Sequence, residues 1–221
     1  MAEKFKIVYE DGWLMVLNKE AGIVVTDEGR GEKESIEKIL ADKIKLKRSG
    51  IVHRLDKGTS GLLVVAKNEE VLKNLKKQFK DRKVVKKYLA LACGEVSQQG
   101  REEVPIGRSP YVFGKFGASF EGKKAITEFR VLKRFESERG KMSLISINLL
   151  TGRTHQIRVH MSYLNWPLLG DKQYGGWQGK VINRPFLQAA YINFWHPGKK
   201  VMVEFETDLA QDLKEELKNY E

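Results

Sequence analysis

Gly50-Ile51-Val52-His53-Arg54-Leu55-Asp56-Lys57-Gly58-Thr59-Ser60-Gly61 runs straight into Leu62-Leu63-Val64-Val65-Ala66. The short apolar run, bounded by turn residues, predicts a buried strand. Asp, Gly and Ser are ordinary turn residues, so the stretch before it reads as a loop, with Asp56 at a strand end or loop mouth. A lone aspartate in such a turn would only cap or close it. Here His53, Arg54, Asp56, Thr59 and Ser60 place five polar or titratable groups within eight residues, a density that a plain turn does not need.

The pattern on either side predicts an α+β fold. Upstream, residues 13–17 are an apolar strand that follows a short strand and turn, and residues 35–44 carry Ile36, Ile39, Leu40 and Ile44 at helical spacing. Downstream, Asn68 is placed to cap a helix with Glu69 and Glu70 in its first turn, where the helix dipole favours acids. Val71, Leu72, Leu75 and Phe79 give that helix its core face and leave its lysines outside. Residues 88–93 return as a strand, 94–125 read as extended loops or hairpins, and 126–135, 143–150 and 201–206 read as strands. Thr154 is placed to cap a helix running to residue 164 with Ile157, Met161 and Leu164 inward, and Leu209, Leu213 and Leu217 mark a terminal amphipathic helix. These spacings predict a central mixed, mostly antiparallel sheet flanked by helices and loops. With no repeat, low-complexity tract or Pro/Ser-rich linker, the 221 residues read as one domain, 1–221.

The chain has 40 Lys and Arg against 29 Asp and Glu, a net charge of +11, and should be drawn to polyanions. Lys73, Lys76, Lys77, Lys80, Arg82, Lys83, Lys86 and Lys87 crowd one stretch with Asp81 as the only acid, and Lys43, Lys45, Lys47 and Arg48 cluster just ahead of the Asp56 loop. Two basic clusters flanking a candidate site favour RNA or DNA over mere solvated surface, though charge alone does not choose between them. No apolar run approaches the roughly 20 residues of a membrane span. No apolar stretch follows the N-terminal charges as it would in a signal peptide, so no membrane is expected and the cytoplasm is the expected compartment. Cys93, the only cysteine, excludes an internal disulfide and a thiolate cluster, and reads as a small buried hydrophobe.

A second stretch able to carry chemistry is Thr151-Gly152-Arg153-Thr154-His155-Gln156-Ile157-Arg158-Val159-His160. Its apolar positions account for one helix face, so Arg153, Thr154, His155 and Arg158 gather at the N-terminal end, where an arginine can meet a carboxylate or phosphate. His155 and His160 have no Glu between them and no second ligand cluster, which is not the His-Glu-x-x-His zinc pattern; no metal is expected. A third stretch is Val85-Lys86-Lys87-Tyr88-Leu89-Ala90. A tyrosine opening an apolar strand is usually core, but one that follows two lysines can also line a basic cleft and stack on a base. The phosphate loop, the dinucleotide fingerprint and the nucleophile elbow are missing. A glycosidase would want two paired carboxylates, and only Asp56 stands in a suitable motif.

Taken together, the three stretches resemble the RluA-type pseudouridine synthases. His53-Arg54-Leu55-Asp56 with Thr59-Ser60-Gly61 is similar to that family's catalytic-loop signature. Tyr88 in Lys87-Tyr88-Leu89-Ala90 falls where the family has its active-site tyrosine, and Gly152 to His160 is similar to its third motif. Weaker similarity covers Val8 through Lys19, Gly170-Asp171 through Gly175, and Phe194-Trp195-His196-Pro197, so the likeness spans nearly the whole chain in order. Glu20 stands where the family usually has Pro, and Gln188 where it often has His. The first should change a turn and the second a contact beside the site; neither removes a catalytic group. The small N-terminal RNA-binding domain of some relatives is expected to be absent, which leaves substrate choice to the catalytic domain and its loops, residues 94–125 among them.

The resemblance implies a pseudouridine synthase that isomerises specific uridines in structured ribosomal or transfer RNA, such as a stem-loop. It implies no cofactor, and nothing demands more than a monomer. The reaction detaches uracil from the anomeric carbon, turns it and rejoins it through C5. It needs a carboxylate able to add to the sugar or remove a proton from it, here Asp56, with attack on the sugar, attack on the base and proton abstraction all open. Arg158 is implied as its ion-pair partner, keeping it ionised and oriented. Tyr88 is implied as the stacking partner of the flipped uracil. Arg54 either fills the space the base vacates or holds the loop. His53, Thr59, Arg153 and His155 complete the substrate-binding set, with His53, Thr59 and Ser60 shaping the loop rather than doing chemistry. Two rivals stand beside this reading: an RNA-binding module that has lost the chemistry, against which intact Asp56, Tyr88 and Arg158 argue, and an enzyme that cleaves the glycosidic bond and releases free base.

Overall fold

A computed structural model describes residues 4–27, 31–109, 115–138 and 140–221. In chain order these form β1 (Phe5–Glu10), β2 (Leu14–Lys19), α1 (Ile36–Leu40), a 3-10 turn (Lys47–Gly50), β3 (Ser60–Ala66), α2 (Glu69–Lys80), β4 (Val85–Cys93), β5 (Gln99–Glu102), β6 (Ile106–Arg108) and β7 (Phe116–Ala118). They continue with β8 (Thr127–Ser137), β9 (Gly140–Leu149), α3 (Gln156–Tyr163), β10 (Leu187–His196), β11 (Val201–Glu206) and α4 (Gln211–Lys218). The chain divides into two compact units, Met1–Val85 with Ala189–Asp208, and Lys86–Gln188 with Leu209–Glu221. The architecture is α+β, and the paired strands are antiparallel throughout each unit's registered ladders.

In the first unit β2 pairs with β1 on one side and β3 on the other, β3 neighbours β10, and β11 pairs with β10. β3 is buried at every position, which is why it reads as an unbroken apolar run rather than an alternation. α2 packs Val71, Leu72 and Leu75 against Leu14, Val16, Leu62, Val64 and Phe194. Its start is set by Asn68, whose side chain accepts the Val71 N–H at 2.9 Å. The helix predicted over residues 35–44 stops at Leu40. Ile44 still reaches the core, because one further turn, from its N–H to the Leu40 carbonyl at 2.8 Å, brings it back. The sequence pattern missed β10, whose burial follows no simple alternation and whose start is Leu187-Gln188-Ala189-Ala190.

In the second unit the ladder runs β4–β9–β8–β5, with β6 and β7 as a separate hairpin. The hairpins expected over 94–125 are therefore present in β5 to β7, while residues 110–114 lie outside the described residues. Leu91, Cys93, Phe135, Met142, Leu169, Phe186 and Leu213 form the larger core. Burial pushes the Cys93 thiol up to about 11, as befits a small hydrophobe rather than a reactive group. α4 docks through Leu213 and through the fully buried Glu216, whose carboxylate accepts the N–H groups of Lys180, Val181 and Ile182 at 2.6–3.0 Å. Among the described residues no helix is long and apolar enough to cross a membrane.

Candidate active site

The Asp56 loop is bracketed by two glycines in the left-handed region, Gly50 at φ 74° and Gly61 at φ 116°. A Cβ on Gly50 would collide with the Ala66 carbonyl, and one on Gly61 with the Ala189 backbone in β10. Both ends of the loop are thus fixed by backbone lying against backbone. His53 braces the middle. Its ring stacks on Phe79 with centroids 4.6 Å apart, and its Nε2 accepts the Val64 N–H at 2.9 Å. A backbone N–H only donates, so the imidazole proton sits on Nδ1. Leu55, Thr59 and Ser60 are buried, and the Thr59 N–H closes a turn on the Asp56 carbonyl at 3.0 Å. Arg54 is exposed and Asp56 half-buried.

A second turn supports this loop. Lys19 is fully buried, and its Nζ donates to the carbonyls of Glu20 and Ile23 at 2.9 and 3.0 Å. The Gly22 N–H in turn donates to the Lys57 carbonyl at 2.7 Å. Glu20, where the resembling family usually has proline, uses its N–H to reach the Lys4 carbonyl at 3.0 Å, a bond proline lacks.

In the second unit Tyr88 is buried on β4, opposite Ile147, which itself lies opposite Phe129. Leu149 and Thr127 are the next pair on that face. The Thr127 hydroxyl accepts from Gln156 Nε2 at 3.0 Å and meets His160 Nδ1 at 2.9 Å, so α3 covers the face that carries Tyr88. Lys86, two residues earlier on the same strand face, has no acidic partner among the described residues; burial pushes its ammonium down to about 8.

The start of α3 corrects the expectation for Thr154. The N-cap is His155 in left-handed geometry (φ 56°), with no side-chain cap. Gln156 does the work instead. Its Oε1 accepts from the Thr151 hydroxyl and the Arg153 N–H at 2.7 and 3.0 Å, and its Nε2 donates to Ile126 O and Thr127 Oγ1 at 3.0 Å. The expectation of a single apolar face fails too, because Gln156 through Met161 are all buried. His160 is among them. Its Nε2 donates to the Val104 carbonyl at 2.9 Å, and burial pushes its pKa below the ordinary histidine range.

Arg153 Nε donates to the Lys124 carbonyl at 3.0 Å. His155 Nδ1 lies 3.0 Å from the Tyr174 hydroxyl. That hydroxyl donates to the Phe116 carbonyl at 3.0 Å, so the histidine supplies the proton between them. Arg158, 9% exposed, makes a two-pronged pair with Asp171, 1% exposed, at 2.7 and 2.8 Å. It also donates to Gln173 at 2.9 Å, and its guanidinium sits 4.8 Å from the Tyr174 ring centroid. Sequence reasoning gave no role to Gln156, Asp171, Gln173 or Tyr174. The usable signal was the buried arginine itself, since a charge inside a packed helix needs an acid nearby.

The structure brings His53, Arg54, Asp56 and Thr59 together on one loop of the first unit. In the second it gathers Arg153, His155 and Arg158 at the first turns of α3, over the sheet face of Tyr88. Among the described residues no group of three or more His, Cys, Asp or Glu side chains comes together as metal ligands would.

The RNA pseudouridylate synthase family model matches residues 13–163 of this chain. A Bacillus subtilis (strain 168) protein named as an uncharacterized RNA pseudouridine synthase is 39% identical over 221 residues, which cover 96% of this chain and 72% of the relative. Ribosomal large subunit pseudouridine synthase D of Zymomonas mobilis is 37% identical over 227 residues, 95% of this chain and 70% of the relative. Among solved structures, human RNA pseudouridylate synthase domain containing 1 superposes with a TM-score of 0.73 at 29% identity, over 92% of this chain and 83% of that one. Human RNA pseudouridylate synthase domain containing 4, at 24% identity and a TM-score of 0.76, shares the fold over 96% of this chain and 91% of that one.

Proposed function

We propose, for a chain that belongs to the RNA pseudouridylate synthase family and is thus an RNA-modifying isomerase, that Asp56 is the catalytic carboxylate and large-subunit ribosomal RNA the substrate. One observation carries the catalytic assignment. His53, Leu55, Thr59, Ser60 and both bracketing glycines are committed to holding the loop and Lys57 pairs with Glu32, which leaves exposed Arg54 and half-buried Asp56 as the loop's other charged side chains. The substrate rests on the named activity of relatives such as the Zymomonas mobilis protein. The cytoplasm is the compartment proposed, on the strength of bacterial relatives named for ribosomal RNA.

The isomerisation breaks the bond from C1′ to N1, forms one from C1′ to C5, removes the proton from C5 and leaves one on N1. Asp56 supplies the carboxylate that adds to the sugar or base, or takes a proton from the sugar. The uridine leaves its stack to reach it, at a cost of roughly a few kcal/mol. In this reading Tyr88 stacks on the flipped uracil, and Arg54 enters the space left behind. Arg158 is assigned to the catalytic set by the same resemblance. A guanidinium has five N–H groups, and the pair with Asp171 and Gln173 uses three, which fixes the plane in which the arginine is presented. Arg153 and His155 offer RNA contacts at the start of α3, while His53 and Thr59, the latter buried, serve the substrate by shaping the Asp56 loop.

The test is a pseudouridine map, by carbodiimide labelling and reverse transcription, of RNA from cells with and without this gene. The expected result is a lost site in large-subunit ribosomal RNA that wild type restores and Asp56→Asn does not. A site lost only in transfer RNA would overturn the substrate. Free uracil and abasic RNA from purified enzyme would overturn the reaction.

A further inference from the structure

The outer end of β10 carries Trp195, 43% exposed, and directly opposite it on β11 stands Met202, 53% exposed. The pair leaves two large apolar side chains side by side in water. They form one side of a cavity of about 430 Å³, within the size range of small-ligand sites. The opposite side is made by α2 and the turn after it, with Lys77 and Lys83 against a single acid, Asp81. Every lining residue belongs to the first unit.

This surface is held in place. Gln78 is buried on a helix whose other buried positions are apolar. Its amide donates to the Trp195 carbonyl at 2.8 Å and accepts the Trp195 N–H at 3.0 Å, as a neighbouring strand would. Asn74 Oδ1 accepts from the same Gln78 nitrogen at 2.8 Å. The backbone that bears the indole is therefore fixed from inside the helix, leaving the ring at the cavity wall.

Charge decides the occupant. Beyond Lys77 and Lys83, the same helix and turn expose Lys73, Lys76, Lys80 and Arg82. An aromatic face rimmed by cations suits an unpaired nucleobase, whose ring stacks while its phosphates meet the ammonium groups. An apolar protein segment would have to bury that rim of unpaired lysines, which is costly.

We propose that this cavity is a second RNA subsite, separate from the Asp56 loop, in which an unpaired nucleobase stacks on Trp195 and Lys77 and Lys83 hold the adjoining phosphates. The proposal rests on RNA being the substrate and not on the assignment of Asp56.

The experiment uses the full chain carrying Asp56→Asn, so that binding is read without turnover, and a single-stranded oligouridylate of about ten nucleotides containing 5-iodouridine. Photocrosslinking followed by peptide mass spectrometry is expected to mark Trp195 or Met202. Fluorescence anisotropy is expected to show Trp195→Ala weakening the oligonucleotide about 5- to 30-fold, with Trp195→Phe recovering most of the loss. Lys77→Gln with Lys83→Gln should flatten the salt dependence of binding. Thermal melting should be unchanged for these exposed positions. Equal affinity of wild type and Trp195→Ala, with crosslinks confined to other residues, overturns the subsite, whatever becomes of Asp56. Unchanged RNA binding with loss of a co-purifying protein on Trp195→Ala would overturn it in favour of a protein-docking surface.

Discussion

The loop from Gly50 to Gly61 and the stretch from Thr151 to His160 are both short, polar and dense in charge, yet opposite means hold them. The first is fixed at its ends by backbone, two left-handed glycines pressing against the Ala66 and Ala189 main chain, with the His53 ring as its one described side-chain brace. The second is fixed by side chains: Gln156 makes four hydrogen bonds, His160 makes two, and Arg158 is clamped by Asp171. A loop pinned at both ends by glycine backbone owes its turn geometry to positions other than Asp56. A residue such as Arg158 is part of the structure whatever else it does.

The comparison breaks most visibly at Asp171. Asp171→Ala leaves the Arg158 charge buried without its clamp and should cost about 3–5 kcal/mol in urea unfolding. A cost under about 1 kcal/mol would mean that this pair does not hold the second stretch. Next comes Gly61→Ala, which adds a Cβ against the Ala189 backbone at φ 116°. The expected cost is about 2–4 kcal/mol, and a neutral result would deny that backbone contact fixes the first loop.

Lys86 sharpens the contrast with a smaller effect, since it is half-buried in the second unit and has no acidic partner among the described residues. Its folded pKa, about 8, lies below the ordinary 10.5, so the unfolded chain binds more protons between these values and stability rises with pH across that window. Below it the desolvated charge is a cost. Lys86→Met should therefore raise Tm by about 2–4 °C near pH 7, and the gap should close as pH climbs. The same variant should bind RNA less well, because Lys86 shares a strand face with Tyr88. A gap that stays constant with pH would show that Lys86 is not strained by burial.

Much of this was legible because local chemistry and tertiary role agree. Asn68 caps α2, the apolar run before Lys67 is β3, and the turn residues around Asp56 do form a loop that leads into that strand. What was not legible depends on partners far apart in sequence. Thr154 looks like a cap, but Gln156 takes the task because Ile126 and Thr127 lie beside it. Asp171 gave no local sign of its arginine, thirteen residues away. β10 lacks a clean period because its burial is imposed by packing and not by alternation. Nothing local marks Gln78, whose amide is spent on Trp195 across 117 residues.

The most direct measurement is pseudouridine formation by purified Asp56→Asn on a large-subunit ribosomal RNA transcript that wild type modifies, with urea unfolding of both proteins. The account predicts a rate at least about a thousandfold lower in a protein that still unfolds in one cooperative transition. A folded Asp56→Asn enzyme that still makes pseudouridine at a comparable rate would contradict it.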